Sequence, residues 1–214
     1  MRSSAFLADP DRVLIADASV VIGLNASGHA RRIMELTACR ILVSDNAVSE
    51  LAVGALFGHD DGAQLSALIA DGVLDRVALK GSAAKIYEAL IDGSYGETLD
   101  DGEAATIAIA AERGAVALLD ERKAQRICRV HFPEVIQGCT AQWLLAAGAL
   151  GEALHVEAVV NALRRGRMRV PSEFTSAVVT LIGTEEAAKC PSLPRAIRQV
   201  GLREDVEDRS RPKY

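Results

Sequence analysis

VLIADASVVIGL, at Val13–Leu24, is the stretch of sequence that decides the fold. Its first four residues are apolar and end at Asp17, which predicts a strand that is buried on both faces, as in a parallel sheet. The residues from Ser19 onward predict a helix, bent or broken near Gly23 and Gly28. The first strand is therefore expected to be followed directly by a helix.

The same alternation continues along the chain. Apolar runs predict further strands at 40–43, 73–79, 115–119 and 135–136. Amphipathic or apolar segments between and after these strands predict helices. Ser44 or Asp45 is expected to cap the second helix. The others are expected at 61–70, 82–90, 101–113, 121–130, 140–149 and 152–165. Strands that alternate with helices predict an α/β fold with a central parallel sheet.

Composition narrows the class of protein. The chain has 214 residues, of which 50% are hydrophobic but only 4% aromatic, so a large core is expected while nucleic-acid binding by aromatic stacking is not. The net charge is −5, and it is divided unevenly. Residues 1–150 carry 13 Lys and Arg against 20 Asp and Glu, whereas residues 151–214 carry 11 against 9. We therefore predict a domain at 1–150 and a helical extension at 151–214.

The extension holds a basic segment, and its last residues are charged and poor in large apolar side chains. Such a tail is expected to be frayed. The basic segment either contacts a phosphate backbone or is a solvated helix end, and both interpretations stay open at this point. Its arginines are Arg164, Arg165, Arg167 and Arg169.

Four carboxylates are the candidate functional residues. Each lies near the start of a helix that follows or adjoins an apolar strand, and in a parallel sheet such positions converge at one edge. Clustered acids repel one another unless they hold cations, and oxygen ligands suit Mg²⁺ or Mn²⁺. A pair of such ions is a common means of cleaving phosphodiesters. The four candidates are Asp17, Glu50, Glu103 and Asp120.

Each acid also has a structural interpretation. Asp17 is either a helix cap or a ligand, and we favour the ligand because Ser19 is an equally good cap. Glu50 taken alone reads as a surface glutamate. Glu103 fits the capping pattern that begins at Asp100, but it opens a helix that is expected to be buried. Asp120 is either a cap or a ligand at a strand end.

Several neighbours are candidates for supporting roles. Ser19 either hydrogen-bonds a metal-bound water or a phosphate oxygen, or caps its helix. Asp101 is the alternative ligand beside Glu103, and Glu121 is the reserve for Asp120. The basic residues that open the next helix either meet substrate phosphates or are solvated, and they are Arg122, Lys123 and Arg126.

Other classes of site lack their signatures. The four histidines are scattered, the four cysteines form no C-x-x-C pair, and neither a nucleophile elbow nor a P-loop is present. No signal peptide or membrane-spanning apolar run is found, so no membrane partner and a cytoplasmic location with free thiols are expected.

Four segments in this order resemble the PIN-domain family. They are the Asp-Ala-Ser that follows the first strand, SDNAVSEL, LDDGEAATIAIA and LLDERKA, and together they span about residues 13–140. The Gly-Glu-Ala at Gly102–Ala104 is similar to the subgroup of PIN domains whose third acid is that glutamate. Many bacterial members of this family are VapC-like toxins.

The resemblance implies a Rossmann-like three-layer α/β/α sandwich and ribonuclease activity that depends on Mg²⁺ or Mn²⁺. It implies that Asp17, Glu50, Glu103 and Asp120 are the metal ligands and catalytic residues, with Ser19 in support. The partners that it implies are RNA, a small antitoxin protein and a second copy in a homodimer. A catalytically inactive module that binds RNA or protein is the alternative.

Overall fold

The computed structural model describes residues 5–199. The expected frayed tail lies mostly outside the described residues. One sheet of five parallel strands forms the centre, in the order β3-β2-β1-β4-β5. The strands are β1 (Val13–Ala16), β2 (Arg40–Ser44), β3 (Asp75–Val77), β4 (Val116–Leu118) and β5 (Gln137–Gly138).

Helices fill both faces of the sheet and continue to the end of the described chain. Those before β4 are α1 (Ala18–Ala26), α2 (Ala30–Glu35), α3 (Asp45–Gly54), α4 (Asp61–Ala70), α5 (Gly81–Ile91) and α6 (Asp101–Arg113). Those after β4 are α7 (Arg122–His131), α8 (Thr140–Ala146), α9 (Glu152–Arg164), α10 (Ser172–Ile182) and α11 (Thr184–Ala188).

Alternate residues of each strand enter two hydrophobic clusters, one on each face of the sheet. Leu14 packs with residues of α1, α4, α8 and α9, whereas its neighbour Ile15 packs with residues of α5, α6 and α7. This two-residue period divides the strand side chains between the faces. The architecture is a three-layer α/β/α sandwich, as expected from the sequence.

The helices after residue 150 share the first of these clusters. Buried side chains of α9 and α10, such as Val159 and Val178, belong to the same cluster as Leu14. The helical nature of the extension agrees with the sequence-based expectation, although α10 and α11 were not predicted. The division of the chain into 1–150 and 151–214 stays a prediction.

Several boundaries differ from the sequence-based expectations, among them the end of the helix expected at 140–149, which ends at Ala146. The last strand is at Gln137–Gly138 rather than 135–136, because Pro133 and its neighbours form a turn and Gly138 pairs with Leu118. The first helix runs through Gly23 without a break and ends before Gly28, whose φ is +79°. The third strand is shorter than expected, with Asp75–Val77 in the place of 73–79.

The order of the strands reverses between β1 and β4, and a crevice is expected there at the ends of these strands. From β1 the chain adds β2 and then β3 on one side, and it then crosses back to add β4 and β5 on the other side. Ligands of open α/β sheets bind outside the carboxyl ends of the strands at such a reversal. Within the described residues, no helix is long and apolar enough to cross a membrane.

Candidate functional site

A cleft of about 410 Å³ opens at the carboxyl ends of β1 and β4, at the reversal of the strand order. The structure brings all four candidate acids to this cleft, although they come from separate parts of the chain. Two further acids join them. The carboxylates that line the cleft are Asp17, Glu50, Asp100, Glu103, Asp120 and Glu121.

Asp17 is both the N-cap of α1 and part of the cleft. Its Oδ2 accepts hydrogen bonds from the Ser19 backbone N at 3.3 Å and from the Ser19 hydroxyl at 2.6 Å. Ser19, which the sequence presented as an equally good cap, instead donates to Asp17. Burial raises the pKa of Asp17 even though these two donors lower it.

Asp120 is oriented by the first residue of α8. The Thr140 backbone N donates to Oδ1 at 2.8 Å and the Thr140 hydroxyl donates to Oδ2 at 2.6 Å. Burial raises the pKa of Asp120 to about 6, against the effect of these hydrogen bonds. Sequence reasoning missed Thr140, since no local pattern links two residues that are 20 positions apart.

Glu103 is a strongly perturbed acid of the cleft. Its side chain is only 8% exposed, and no hydrogen-bond partner reaches its buried Oε2. Burial first, and then the charges of Asp17 and Asp100, raise the pKa of Glu103 to about 7. An unpaired buried carboxylate oxygen is costly, so it points to a group that the protein binds.

Gly102 keeps open the space between Glu50 and Asp17. A Cβ atom at this position would lie 2.7 Å from Glu50 Oε2 and 3.0 Å from Asp17 Oδ1. The two carboxylates therefore face the same small space above the first turn of α6. Desolvation and the nearby charge of Asp17 raise the pKa of Glu50.

Asp100 also lines the cleft, although the sequence predicted only a capping role for it. It precedes α6, its side chain makes no capping hydrogen bond, and its charge contributes to the raised pKa of Glu50 and of Glu103. The signal for it was present in the sequence, because an acid that directly precedes Asp101 and Gly102 must lie at the same helix start.

The supporting acids have separate surroundings. Glu121 lines the cleft and forms an ion pair with Arg169 at 3.1 Å. Asp101 accepts a hydrogen bond from the Tyr87 hydroxyl at 3.1 Å and lines a neighbouring cavity instead of the cleft. The structure therefore does not bring Asp101 to the position of an alternative ligand.

The candidate arginines fall into two groups. Only Arg167 and Arg169 line the acidic cleft. Arg126 pairs with Glu97, and Arg164 pairs with Glu186 of α11. The remaining two are exposed outside the cleft, and they are Arg122 and Arg165.

The cleft has the donor chemistry of a divalent-cation site. Its side-chain donors are carboxylates and hydroxyls, one carboxylate oxygen is unpaired, and Gly102 leaves a space between two others. Such hard oxygen ligands fit Mg²⁺ or Mn²⁺. As they stand, no three acidic, histidine or cysteine side chains in residues 5–199 are grouped closely enough to hold an ion. Occupancy would therefore require the carboxylates to move closer together.

The histidines and cysteines play no part in the cleft. None of the described histidines lines it, and all four cysteines are buried free thiols. Burial raises the pKa of Cys128 and of Cys139 to about 12, so neither thiol is reactive at neutral pH.

We predict that the metal-free protein loses stability as the pH rises from 5 to 7.5. The folded state holds a proton on Glu103 up to about pH 7, whereas the unfolded chain releases it near pH 4.5. A raised carboxyl pKa therefore stabilises the fold at low pH, and this contribution, roughly 1–3 kcal/mol, is lost across that interval. Urea denaturation in EDTA at both pH values measures it. Glu103→Gln should flatten the dependence, and a stability that rises with pH would contradict the prediction.

We also predict that Thr140→Val raises the pKa of Asp120. The substitution removes the hydroxyl donor but keeps the backbone donor and the methyl group that faces Gly23. Because hydrogen bonds to a carboxylate favour its charged form, the acidic limb of a pH–activity or pH–metal-affinity profile should move to higher pH. Thr140→Ser keeps the hydroxyl and should leave that limb in place, so equal shifts in both variants would refute the role of the hydroxyl.

Comparison with known proteins supports the same family. The sequence profile of DUF3368, a PIN domain, matches residues 13–184. No curated protein matches the chain. The crystal structure of VapBC2 from Rickettsia felis, bound to a DNA fragment from their promoter, is similar over 59% of this chain and 98% of that chain, with 16% sequence identity and a TM-score of 0.45.

Proposed function

The chain belongs to the PIN-domain family, and from this premise we propose that it is a divalent-metal-dependent ribonuclease that hydrolyses phosphodiester bonds of RNA. The observation that carries this proposal is the buried Glu103, whose Oε2 is unpaired beside Asp17 in the cleft at the strand reversal. Perturbed pKa values in a cleft are typical of functional groups. Four acids of the cleft have raised pKa values, and they are Asp17, Glu50, Glu103 and Asp120.

These four carboxylates would hold one or two ions of Mg²⁺ or Mn²⁺. When bound, the cations supply positive charge that lowers the pKa of an attacking water and stabilises the charge developing on the phosphate. Asp17 and Asp120 are fixed by hydrogen bonds from Ser19 and Thr140, so their oxygens are oriented before a ligand arrives. Such orientation reduces the cost of assembling the site.

The raised pKa values of the cleft acids also predict how the affinity for cations changes with pH. Carboxylates bind cations in their ionised form, and those of Glu103 and Asp120 hold protons up to about pH 7 and about pH 6 in the metal-free protein. Cation binding must therefore release protons, and its affinity should rise with pH over this range. No histidine is required as a general base, which agrees with a cleft lined by acids.

The alternative function is an inactive PIN-like module that binds RNA or a protein. One observation favours it, namely that no three metal-ligand groups in the described part of the chain are close enough to hold an ion as they stand. In such a module Mg²⁺ or Mn²⁺ would not stabilise the fold. A ligand that binds only the native state raises the melting temperature, so metal titration separates the two functions.

Cleavage of a panel of labelled RNAs tests the proposal. Single-stranded and double-stranded RNA, DNA of the same sequence and a nucleoside phosphate are each incubated with Mn²⁺, Mg²⁺ or EDTA. We expect cutting of RNA with metal and none with EDTA. Metal-dependent turnover of the nucleoside phosphate without competition by long RNA would contradict RNA as the substrate.

The wider biological role is part of the same proposal. The sequence resemblance implies the toxin of a toxin–antitoxin pair, held by a small antitoxin, and a homodimer, whereas a cytoplasmic location rests on the free thiols. Induced expression in a bacterial host tests the first of these. Growth arrest by the wild-type chain but not by Asp17→Asn is the result expected of a ribonuclease toxin, and normal growth with both would remove the toxin role.

A further inference from the structure

The segment after α9 closes one side of the acidic cleft. Met168 and Val170 are buried, whereas Arg167 and Arg169 are exposed. Both arginines line the cleft. The extension therefore contributes two cationic residues to a cleft whose other charged lining residues are all acids.

Close packing fixes the position of this segment. A Cβ atom on Gly166 would lie 2.8 Å from Ala26 Cβ and 3.0 Å from the Ala162 carbonyl oxygen, so only glycine fits against α1 here. The Met168 backbone N donates to the Ala162 carbonyl at 3.0 Å. These contacts hold the segment against the helix that Asp17 caps.

Arg167 has a backbone conformation that its side chain does not favour. Its φ is +47°, and it is the one described residue other than glycine with a positive φ. Glycine would adopt this conformation without strain, whereas the exposed arginine side chain gains no packing in return. Strained residues of this kind concentrate at binding and active sites.

The two arginines differ in their partners. Arg169 is held by Glu121 in an ion pair at 3.1 Å, and its charge lowers the pKa of Asp120. Arg167 forms no ion pair with any described residue, although it lies at an acidic cleft. Of the two arginines that line the cleft, Arg167 is therefore the one that remains available to an incoming anion.

We propose that Arg167 binds a backbone phosphate of the nucleic-acid strand at the mouth of the cleft and so positions that strand over the acids. The inference rests on the proposed function for the identity of the strand. Six carboxylates repel a polyanion, and an arginine at the cleft mouth offsets that repulsion and fixes the strand through bidentate contact. Arg164 is already paired with Glu186, and Arg165 lies outside the cleft, so neither shares this role.

The test compares Arg167→Gln with Arg165→Gln, which removes the same charge two residues away. A short labelled single-stranded RNA is titrated in the Asp17→Asn background, so that it stays intact, over a series of salt concentrations. Arg167→Gln should weaken binding roughly three- to tenfold and lower the slope of log K against log salt by about 0.7, the value for one phosphate contact. Arg165→Gln should change neither by as much. Equal effects of the two variants would overturn the proposal.

Two further variants separate the side chain from the backbone. Arg167→Lys keeps a phosphate-binding charge and should keep most of the salt slope. Arg167→Gly removes the strain, so its melting temperature should equal or exceed that of the wild type while RNA binding falls as in Arg167→Gln. A lower melting temperature together with weak binding would assign Arg167 a structural role instead.

The outcome is independent of whether the protein cuts RNA. If the wild type cleaves RNA but Arg167→Gln has no selective effect on RNA binding, the ribonuclease proposal stands and the role of Arg167 is refuted. A selective binding defect at Arg167 in a protein that never cleaves would support the phosphate contact and remove the nuclease.

Discussion

Asp17→Asn should abolish metal-dependent cleavage and leave the fold intact. Asparagine caps helices as well as aspartate does, and it still accepts the hydrogen bonds that Ser19 donates. The lost charge removes one of the carboxylates proposed to hold the cation, so the rate should fall by about a hundred- to a thousandfold. Because burial raises the pKa of Asp17, the neutral variant should melt no lower than the wild type in EDTA. Single-turnover cleavage and a thermal melt measure the two effects.

Asp101→Asn is the matched control for this variant. It removes one negative charge from the first residue of α6, near the cleft, but Asp101 accepts a hydrogen bond from Tyr87 and lines the neighbouring cavity. This control should retain most of the activity. Full activity in Asp17→Asn, or an equal loss in both variants, would contradict the assignment of the site.

Gly102→Ala should inactivate the protein without unfolding it. The added methyl group would occupy the space between Glu50 Oε2 and Asp17 Oδ1, at 2.7 Å and 3.0 Å. Glu50 is exposed and flexible enough to move away, so the fold can accept the change, and the helix gains up to about 1 kcal/mol from replacing glycine. The carboxylates cannot then converge above Gly102, and misplacement on this scale costs on the order of a hundredfold in rate.

Gly54→Ala is the control for the effect of helix propensity. Gly54 is also helical, and a Cβ atom there would meet only His59 Cβ at an ordinary 3.7 Å. It should be at least as stable as the wild type and fully active. Wild-type activity in Gly102→Ala would show that the space above Gly102 is not needed by a ligand.

Much of the fold was predictable because β1, β2 and β4 lie in short apolar runs. Val13–Ala16 and the helix at Asp101–Arg113 have the bounds that the sequence indicates. The final strand was misplaced because Gly138 has no side chain to give an apolar signal, and only its pairing with β4 makes it a strand. Local sequence pattern therefore predicts elements whose own side chains are buried. It fails for an element such as β5, which is a strand only because it pairs with its neighbour.

The candidate site follows the same division. The four acids were found because each lies beside an apolar run, and the parallel sheet brings them to one edge. Thr140 was missed because it acts through a hydrogen bond to Asp120, and the two residues follow neighbouring strands that are far apart in the sequence. The basic segment was noticed as a charge cluster, but the sequence could not separate Arg167 from Arg164, since their different surroundings arise from tertiary packing.

Binding of Mn²⁺ tests the central claim most directly, because the proposed activity requires the acidic cleft to hold a divalent cation. The melting temperature is followed through a Mn²⁺ titration of the wild type and of Asp17→Asn at pH 7.5. We predict a saturable rise for the wild type, according to the linkage between binding and stability, and little or none for the variant. An unchanged melting temperature in the wild type, or the same rise in both proteins, would contradict a metal site at this cleft.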